Sequence, residues 1–284
     1  CLDVVDRIMG ELLVKAGLGI EQILSIGVGV PGPTVIEAGM VSGPPIMPGW
    51  DGYPIREHLQ TLWRCPVSLN NDAELGALGE WSYGVGRGEH ELVYVKVGTG
   101  IGAGLLLDGQ IYHGTTGSAG EIGHTTIEEN GPLCVCGNRG CLEALAGGRA
   151  VAQRAIEAVR KGQRTILSEV TPLESMTWRN VVHAARRGDL VAQNIVAEAG
   201  AHLGTAIASV VNIFNPSMVV IGGGLSQIGD YLLEPIRRTV QQRSLRVASR
   251  SLRITEALLG RRASGMGAVV QALSTVMHQI AEES

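Results

Sequence analysis

GHTTIEENGPLCVCGNRGCLE, residues 123–143, places one histidine and three cysteines in a glycine-rich run of a chain with five cysteines in all. Cys134, Cys136 and Cys141 follow the pattern C-x-C-G-x-x-G-C, with His124 upstream of them. Three thiolates and one imidazole make a closed tetrahedral set, the usual form of a structural zinc site. Gly137 and Gly140 let so short a loop fold back until its sulfurs face one point. A closed set leaves no position for an activated water, so Zn2+ is expected to serve structure rather than catalysis. The alternative is a disulfide with a spare thiol. Cys134 and Cys136 are too close to pair comfortably, and an intracellular compartment disfavours disulfides. Cys1 and Cys65 stand apart, and ordinary buried or surface thiols account for them.

Outward from this stretch, apolar runs alternate with helical periodicity. Residues 3–16 read as an amphipathic helix with Val4, Val5, Ile8, Leu12 and Leu13 on one side. ILSIGVGVPGP (23–33) reads as a buried strand ending in a Gly-Pro turn, and PVSLNNDAELGALGEW (66–81) as a strand, a polar break and a helix from about Ala73. ELVYVKVGTGIGAGLLLDGQIYHG (91–114) is a strand, a glycine turn, a strand and a hairpin at Asp108-Gly109. Helices follow near 148–161, 177–187 and 190–213, then the strand SMVVIGGGLSQ (217–227), a helix to about Gln242, the strand LRITEA (252–257) and a final amphipathic helix over 264–282. Strands alternating with helices make the class α/β.

The 284 residues, 45% hydrophobic and 18% charged, suit one large or two smaller globular domains. The 40 glycines cluster beside apolar runs, as backbone shaped around a ligand would require. A net charge of −4 with no basic tail offers no electrostatic case for nucleic-acid binding by this segment. No signal peptide and no apolar run of bilayer length stand out, so a soluble, cytoplasmic protein is expected. The chain opens on Cys1 with a helix already under way, from which the natural protein is expected to continue upstream.

The run AGEIGH…CVCGNRGCLE resembles the signature of the ROK family, which groups repressors, open reading frames and sugar kinases. IGVGVPGP, NNDAELGALGE, VGTGIGAG and VVIGGG occur in the family's order, so the resemblance covers nearly the whole chain. It implies the actin-like, ribonuclease-H-like fold, two α/β lobes flanking a central cleft that takes ATP and a sugar. The expected lobes are residues 1–72 with about 266–284, whose N-terminal hairpin is missing, and residues 73–265 with the zinc knot.

Phosphoryl transfer from ATP to a sugar hydroxyl needs a base, phosphate donors and groups that fix the sugar. Asp72 follows a buried strand at a helix start, where a carboxylate either caps the helix or points into a cleft as general base. Local sequence leaves both open, and the resemblance implies the base. Gly98, Thr99 and Gly100 can turn backbone amides toward phosphate, or form an ordinary hairpin. Gly222, Gly223 and Gly224 either make a tight strand-to-helix turn or, as the resemblance implies, line the adenosine pocket. The family's sugar contacts fall on Asn71, Asp72, Glu121, His124 and Glu143. His124 belongs to both sets: one ring nitrogen binds metal, which fixes the ring, and the other faces the sugar. Where family members often carry asparagine, this chain has Ile46, which leaves the sugar open among glucose, N-acetylglucosamine, N-acetylmannosamine and xylose. Trp50 either shields the sugar or packs.

Two functions fit the resemblance. One is an ATP-dependent kinase, with Mg2+, acting on a hexose or N-acetylhexosamine. The other is the sugar-sensing effector domain of a repressor, touching DNA only through a helix-turn-helix upstream of Cys1. A sugar-binding fold with neither activity is a third, weaker reading. Family kinases open with an Asp-x-Gly-x-Thr phosphate motif, and none precedes residue 23, so the 284-residue chain is expected to turn over poorly. The resemblance also implies a homo-oligomer, dimer or tetramer, and no membrane partner.

Overall fold

The computed structural model of the chain describes residues 2–43, 47 and 49–283. Cys1 and Ile46 lie outside the described residues. The chain divides into two compact units, Cys1–Asn71 with Ala268–Ser284, and Asp72–Gly267.

The first unit contains α1 (Leu2–Ala16), β1 (Ile26–Val30), β2 (Thr34–Val35), β3 (Met40–Val41), α2 (Ile55–Trp63) and β4 (Val67–Asn71). β1 and β4 pair in parallel, from Ile26 opposite Val67 to Val30 opposite Asn71. In α2, Ile55, Leu59 and Trp63 recur every fourth residue and are all buried, the stripe a helix presents to a core. They pack with Val30, Val41, Cys65, Val67 and Leu69. Trp50 joins this packing and stacks at a tilt on Tyr53, so it behaves as a packing residue of this unit. α1 forms as its periodicity predicts, but Val4, Val5, Ile8 and Leu12 remain exposed. Its attachment runs instead through Leu2 and Met9, and through Asp6, which accepts a hydrogen bond from the Trp63 indole.

The second unit opens with α3 (Asp72–Tyr83) and the strands β5 (Leu92–Val97), β6 (Ile101–Leu107) and β7 (Gln110–Ile111). Then come α4 (Leu142–Ala146), α5 (Gly148–Arg160), α6 (Trp178–Arg186), α7 (Leu190–Phe214), β8 (Met218–Gly222), α8 (Asp230–Arg243), α9 (Arg246–Ser249) and β9 (Arg253–Glu256). α10 (Ala263–Glu283) contributes its first turn here and the remainder to the first unit. The strands form one sheet in the order β7-β6-β5-β8-β9; β5 and β6 are antiparallel, and β8 is parallel to both β5 and β9. Alternation along β5 splits the core. Val93, Val95 and Val97 face the large helical cluster, whereas Leu92 and Tyr94 pack with Ala77, Leu106, Met218 and Val220.

α7 corrects one expectation, because by length and composition it could cross a bilayer. Its apolar residues are instead spent on the core, where Val196, Leu203, Ile207 and Val211 are all fully buried. Glu80 is buried in the same unit and accepts hydrogen bonds from the backbone N–H groups of Val85, Leu258 and Leu259. It therefore ties the end of α3 to the chain entering α10. Glu80→Ala removes three hydrogen bonds made by a buried carboxylate and is expected to lower unfolding free energy by about 1–3 kcal/mol in urea denaturation.

Candidate functional site

The cysteine loop is built on the backbone of β6. Ile122–His124 form a single 3-10 turn, and a Cβ at Gly123 would sit 2.1 Å from the Ile101 carbonyl oxygen, so only glycine fits there. Cys134 N–H bonds to the Asn138 carbonyl at 2.7 Å and Gly137 N–H to that of Cys134 at 3.0 Å, closing the turn between two of the sulfurs. Gly140 adopts φ +64°, and a Cβ there would lie 1.5 Å from the Glu128 carbonyl oxygen; both conformation and space demand glycine.

This folding brings His124, Cys134, Cys136 and Cys141 together, with their ligand atoms all within 4.8 Å of one another. Cys134 Sγ lies 3.6 Å from His124 Nδ1, and Cys136 Sγ 3.7 Å from Cys141 Sγ. A tetrahedron with metal–sulfur bonds near 2.3 Å and metal–nitrogen bonds near 2.0 Å has edges of about 3.8 Å (S–S) and about 3.6 Å (S–N). The donor set and its spacing therefore fit a closed tetrahedral ion. Among the free thiols, burial pushes Cys134 up, and burial with the neighbouring thiols pushes Cys141 up to about 12. The Asn138 backbone N–H draws exposed Cys136 down to about 7.

A carboxylate lies at the other edge of His124. Its Nε2 lies 4.0 Å from Glu121 Oε2, so Nδ1 faces the cysteines and Nε2 faces an acid. Burial raises the Glu121 pKa; His124 opposes that rise, while Glu143, Glu74 and Asp72 add to it. Glu74 is buried, with Oε1 3.0 Å from His113 Nδ1. Asp72 begins α3, its backbone carbonyl accepting from Ser264 Oγ and its Oδ2 paired with the Lys96 ammonium. Asn71 ends β4 in the first unit, where its side-chain amide donates to the Gly32 carbonyl at 2.9 Å.

The two glycine runs differ. In the turn between β5 and β6, Gly98 N–H bonds to the Gly100 carbonyl and the Gly98 carbonyl accepts from Gly148 N–H. The Glu143 carboxylate reaches this turn, accepting from Ile101 N–H at 2.8 Å. Glu143, expected to face a sugar, is thus also a link from the cysteine loop to the glycine turn. At Gly222, Gly223 and Gly224 the space a side chain would take is filled by the Tyr94 ring, the Val97 backbone and the Trp178 indole respectively. Protein packing alone accounts for that run.

Sequence reasoning missed Lys96 and Glu74. The signal for Lys96 is its isolation: one cation inside LVYVKV needs a counter-charge once the strand is buried. Glu74 had no such signal, because an acid in the first turn of a helix reads as ordinary dipole compensation.

The chain is 36% identical over 275 residues to a xylose repressor of Caldicellulosiruptor bescii, covering 95% of this chain and 69% of that protein. It is 36% identical over 249 residues to a glucokinase of Halalkalibacterium halodurans, covering 87% of this chain and 75% of that one. The crystal structure of a ROK family glucokinase from Streptomyces griseus, in complex with glucose and AMPPNP, superposes with a TM-score of 0.84 at 27% identity, over 96% of this chain and 88% of that one. A profile of the ROK family matches residues 5–274, and with these identities the chain belongs to the ROK family.

Proposed function

We propose that the chain is a kinase-type ROK protein that transfers the γ-phosphoryl group of Mg2+-bound ATP to a hexose or N-acetylhexosamine. The observation that carries this reading is Asp72: a carboxylate at the start of α3, paired with Lys96 on the strand that runs into Gly98–Thr99–Gly100. A base beside a phosphate turn is what in-line transfer requires. Asp72 takes the hydroxyl proton. Glu121, Glu143 and His124 Nε2 hold other sugar hydroxyls, Asn71 adds an amide that donates and accepts, and the turn's backbone meets the phosphates. Gly222–Gly224 lend the adenosine contact no independent support, since packing explains them.

Cys134, Cys136, Cys141 and His124 Nδ1 would hold Zn2+, which when bound locks the loop and the His124 ring. The thiols raised by burial carry protons in the metal-free chain, so binding displaces them and zinc affinity rises with pH. Adding zinc to metal-free protein at pH 7.5 in weak buffer is expected to release about two protons per chain, read by pH-stat. The protein is a homodimer or homotetramer in this reading, which light scattering tests.

Sugar-dependent ADP formation, assayed over glucose, N-acetylglucosamine, N-acetylmannosamine and xylose, tests the kinase reading. A second reading, the sugar-sensing part of a repressor, is favoured by the match to a xylose repressor across 95% of this chain. Calorimetric sugar binding with no ADP formation above the sugar-free rate under any of the four sugars, in an assay sensitive enough for the poor turnover expected of this chain, selects it.

A further inference from the structure

Lys96 sits where a cation is electrostatically conspicuous. Its cross-strand neighbours are Gly102 on β6 and Gly222 on β8, so no side chain flanks it within the sheet. It shares its face of the sheet with buried Tyr94, against which Gly76 of α3 packs closely. Its ammonium meets Asp72 Oδ2 at the start of that helix, with one quarter of the Asp72 side chain and one third of the Lys96 side chain exposed. Two residues further on, just past the end of β5, lies Gly98.

The surrounding charge is negative. Asp72, Glu74 and Glu143 each lie near enough to Glu121 to oppose its ionisation, and Glu143 already occupies the Ile101 amide of the glycine turn. A phosphoryl group entering such a field is repelled unless a cation meets it. Lysine suits this task because its ammonium is a point charge on a flexible four-carbon stem and can change partners without a fixed bidentate geometry.

We propose that Lys96 is a shared cation: it holds Asp72 until a phosphoryl group docks at Gly98–Thr99–Gly100, then turns to a phosphoryl oxygen and releases Asp72 to a substrate hydroxyl. Lys96 is thus a positioning residue for the base and a determinant of phosphate affinity. The inference rests on reading Gly98–Gly100 as the phosphate turn, but not on which sugar binds or whether one does.

Its signature is that the two partners act in opposite directions. Inorganic pyrophosphate, titrated calorimetrically into the zinc-loaded protein, is the probe. Lys96→Met is expected to weaken pyrophosphate binding by about tenfold or more, the loss of one charge-assisted contact, and Lys96→Arg to stay within about threefold of wild type. Asp72→Asn removes the competitor for the ammonium and is expected to tighten binding several-fold. Removing the Asp72 charge also eases repulsion of any anion, so the gain must depend on Lys96: it is expected to vanish in Lys96→Met/Asp72→Asn, and a gain of the same size in that double variant overturns the shared-cation role. The proposal is overturned if wild type fails to bind pyrophosphate, if Lys96→Met binds it unchanged, or if Asp72→Asn weakens it. Should Lys96→Met fold poorly by circular dichroism, Lys96→Gln and Lys96→Gln/Asp72→Asn take its place in the same comparison. A parallel glucose titration separates the readings: no glucose binding removes the sugar assignment and leaves the pyrophosphate result standing.

Discussion

Asp72→Asn is expected to lower turnover by roughly 10²- to 10⁴-fold while changing the sugar Kd by less than about threefold, the loss attributed to a general base. Asparagine keeps the shape and one carbonyl acceptor, so a sugar hydroxyl still finds a partner. It lacks the charge and basicity to take the hydroxyl proton. The helix start is not at risk, since asparagine caps as well as aspartate does. The Lys96 ammonium left behind is one-third exposed and remains hydrated, so no buried charge is orphaned. Steady-state kinetics with parallel calorimetry reads both quantities. Turnover that persists in Asp72→Asn means that another group takes the proton, and a sugar Kd that collapses with it means that Asp72 is a binding residue first.

The second large effect is at the cysteine loop. Cys136→Ser removes one of four ligands from a site whose other members lie at tetrahedral spacing. Apparent zinc affinities of such sites correspond to about 10–16 kcal/mol at neutral pH, so loss of one thiolate is expected to leave the purified variant with well under half its zinc by atomic emission. The consequence should reach the carboxylates. Without metal the His124 ring loses the bond that orients Nδ1 inward, and Glu143, two residues past Cys141, loses its fixed approach to Ile101 N–H. Sugar affinity is therefore expected to fall at least about tenfold, in line with the loss seen when a metal site's supporting contacts are removed. A zinc-free variant that binds sugar as tightly as wild type breaks the connection between loop and site.

Much of the site was legible in local spacing. C-x-C-G-x-x-G-C can bring three sulfurs to one point whatever surrounds it, because two glycines let the loop close within a few residues. β5, β6 and the Asp108-Gly109 hairpin followed from apolar runs around turn residues. The helical stripe of α1 was equally legible as a helix, yet its apolar side is exposed, because periodicity reports which residues share a face and not whether anything covers that face. α7 shows the converse: a run apolar enough for a bilayer is a core helix once other helices and the sheet surround it.

The sequence by itself determined the cluster of His124 with three cysteines, the α/β alternation, the helix starting at the Asn71-Asp72 break and the family, since each is written in neighbours a few residues apart. Only the tertiary structure decided that Asp72 is paired with Lys96, 24 residues away, and that Glu143 reaches the Ile101 amide 42 residues away. It also decided that Glu80 holds backbone 178 and 179 residues downstream. It showed too that the glycines at 222–224 are needed by Tyr94, Val97 and Trp178. The physical reason is common to all four. A charge or a missing side chain announces that a partner is required, but the partner's identity depends on which strands pair and which helix lies on them.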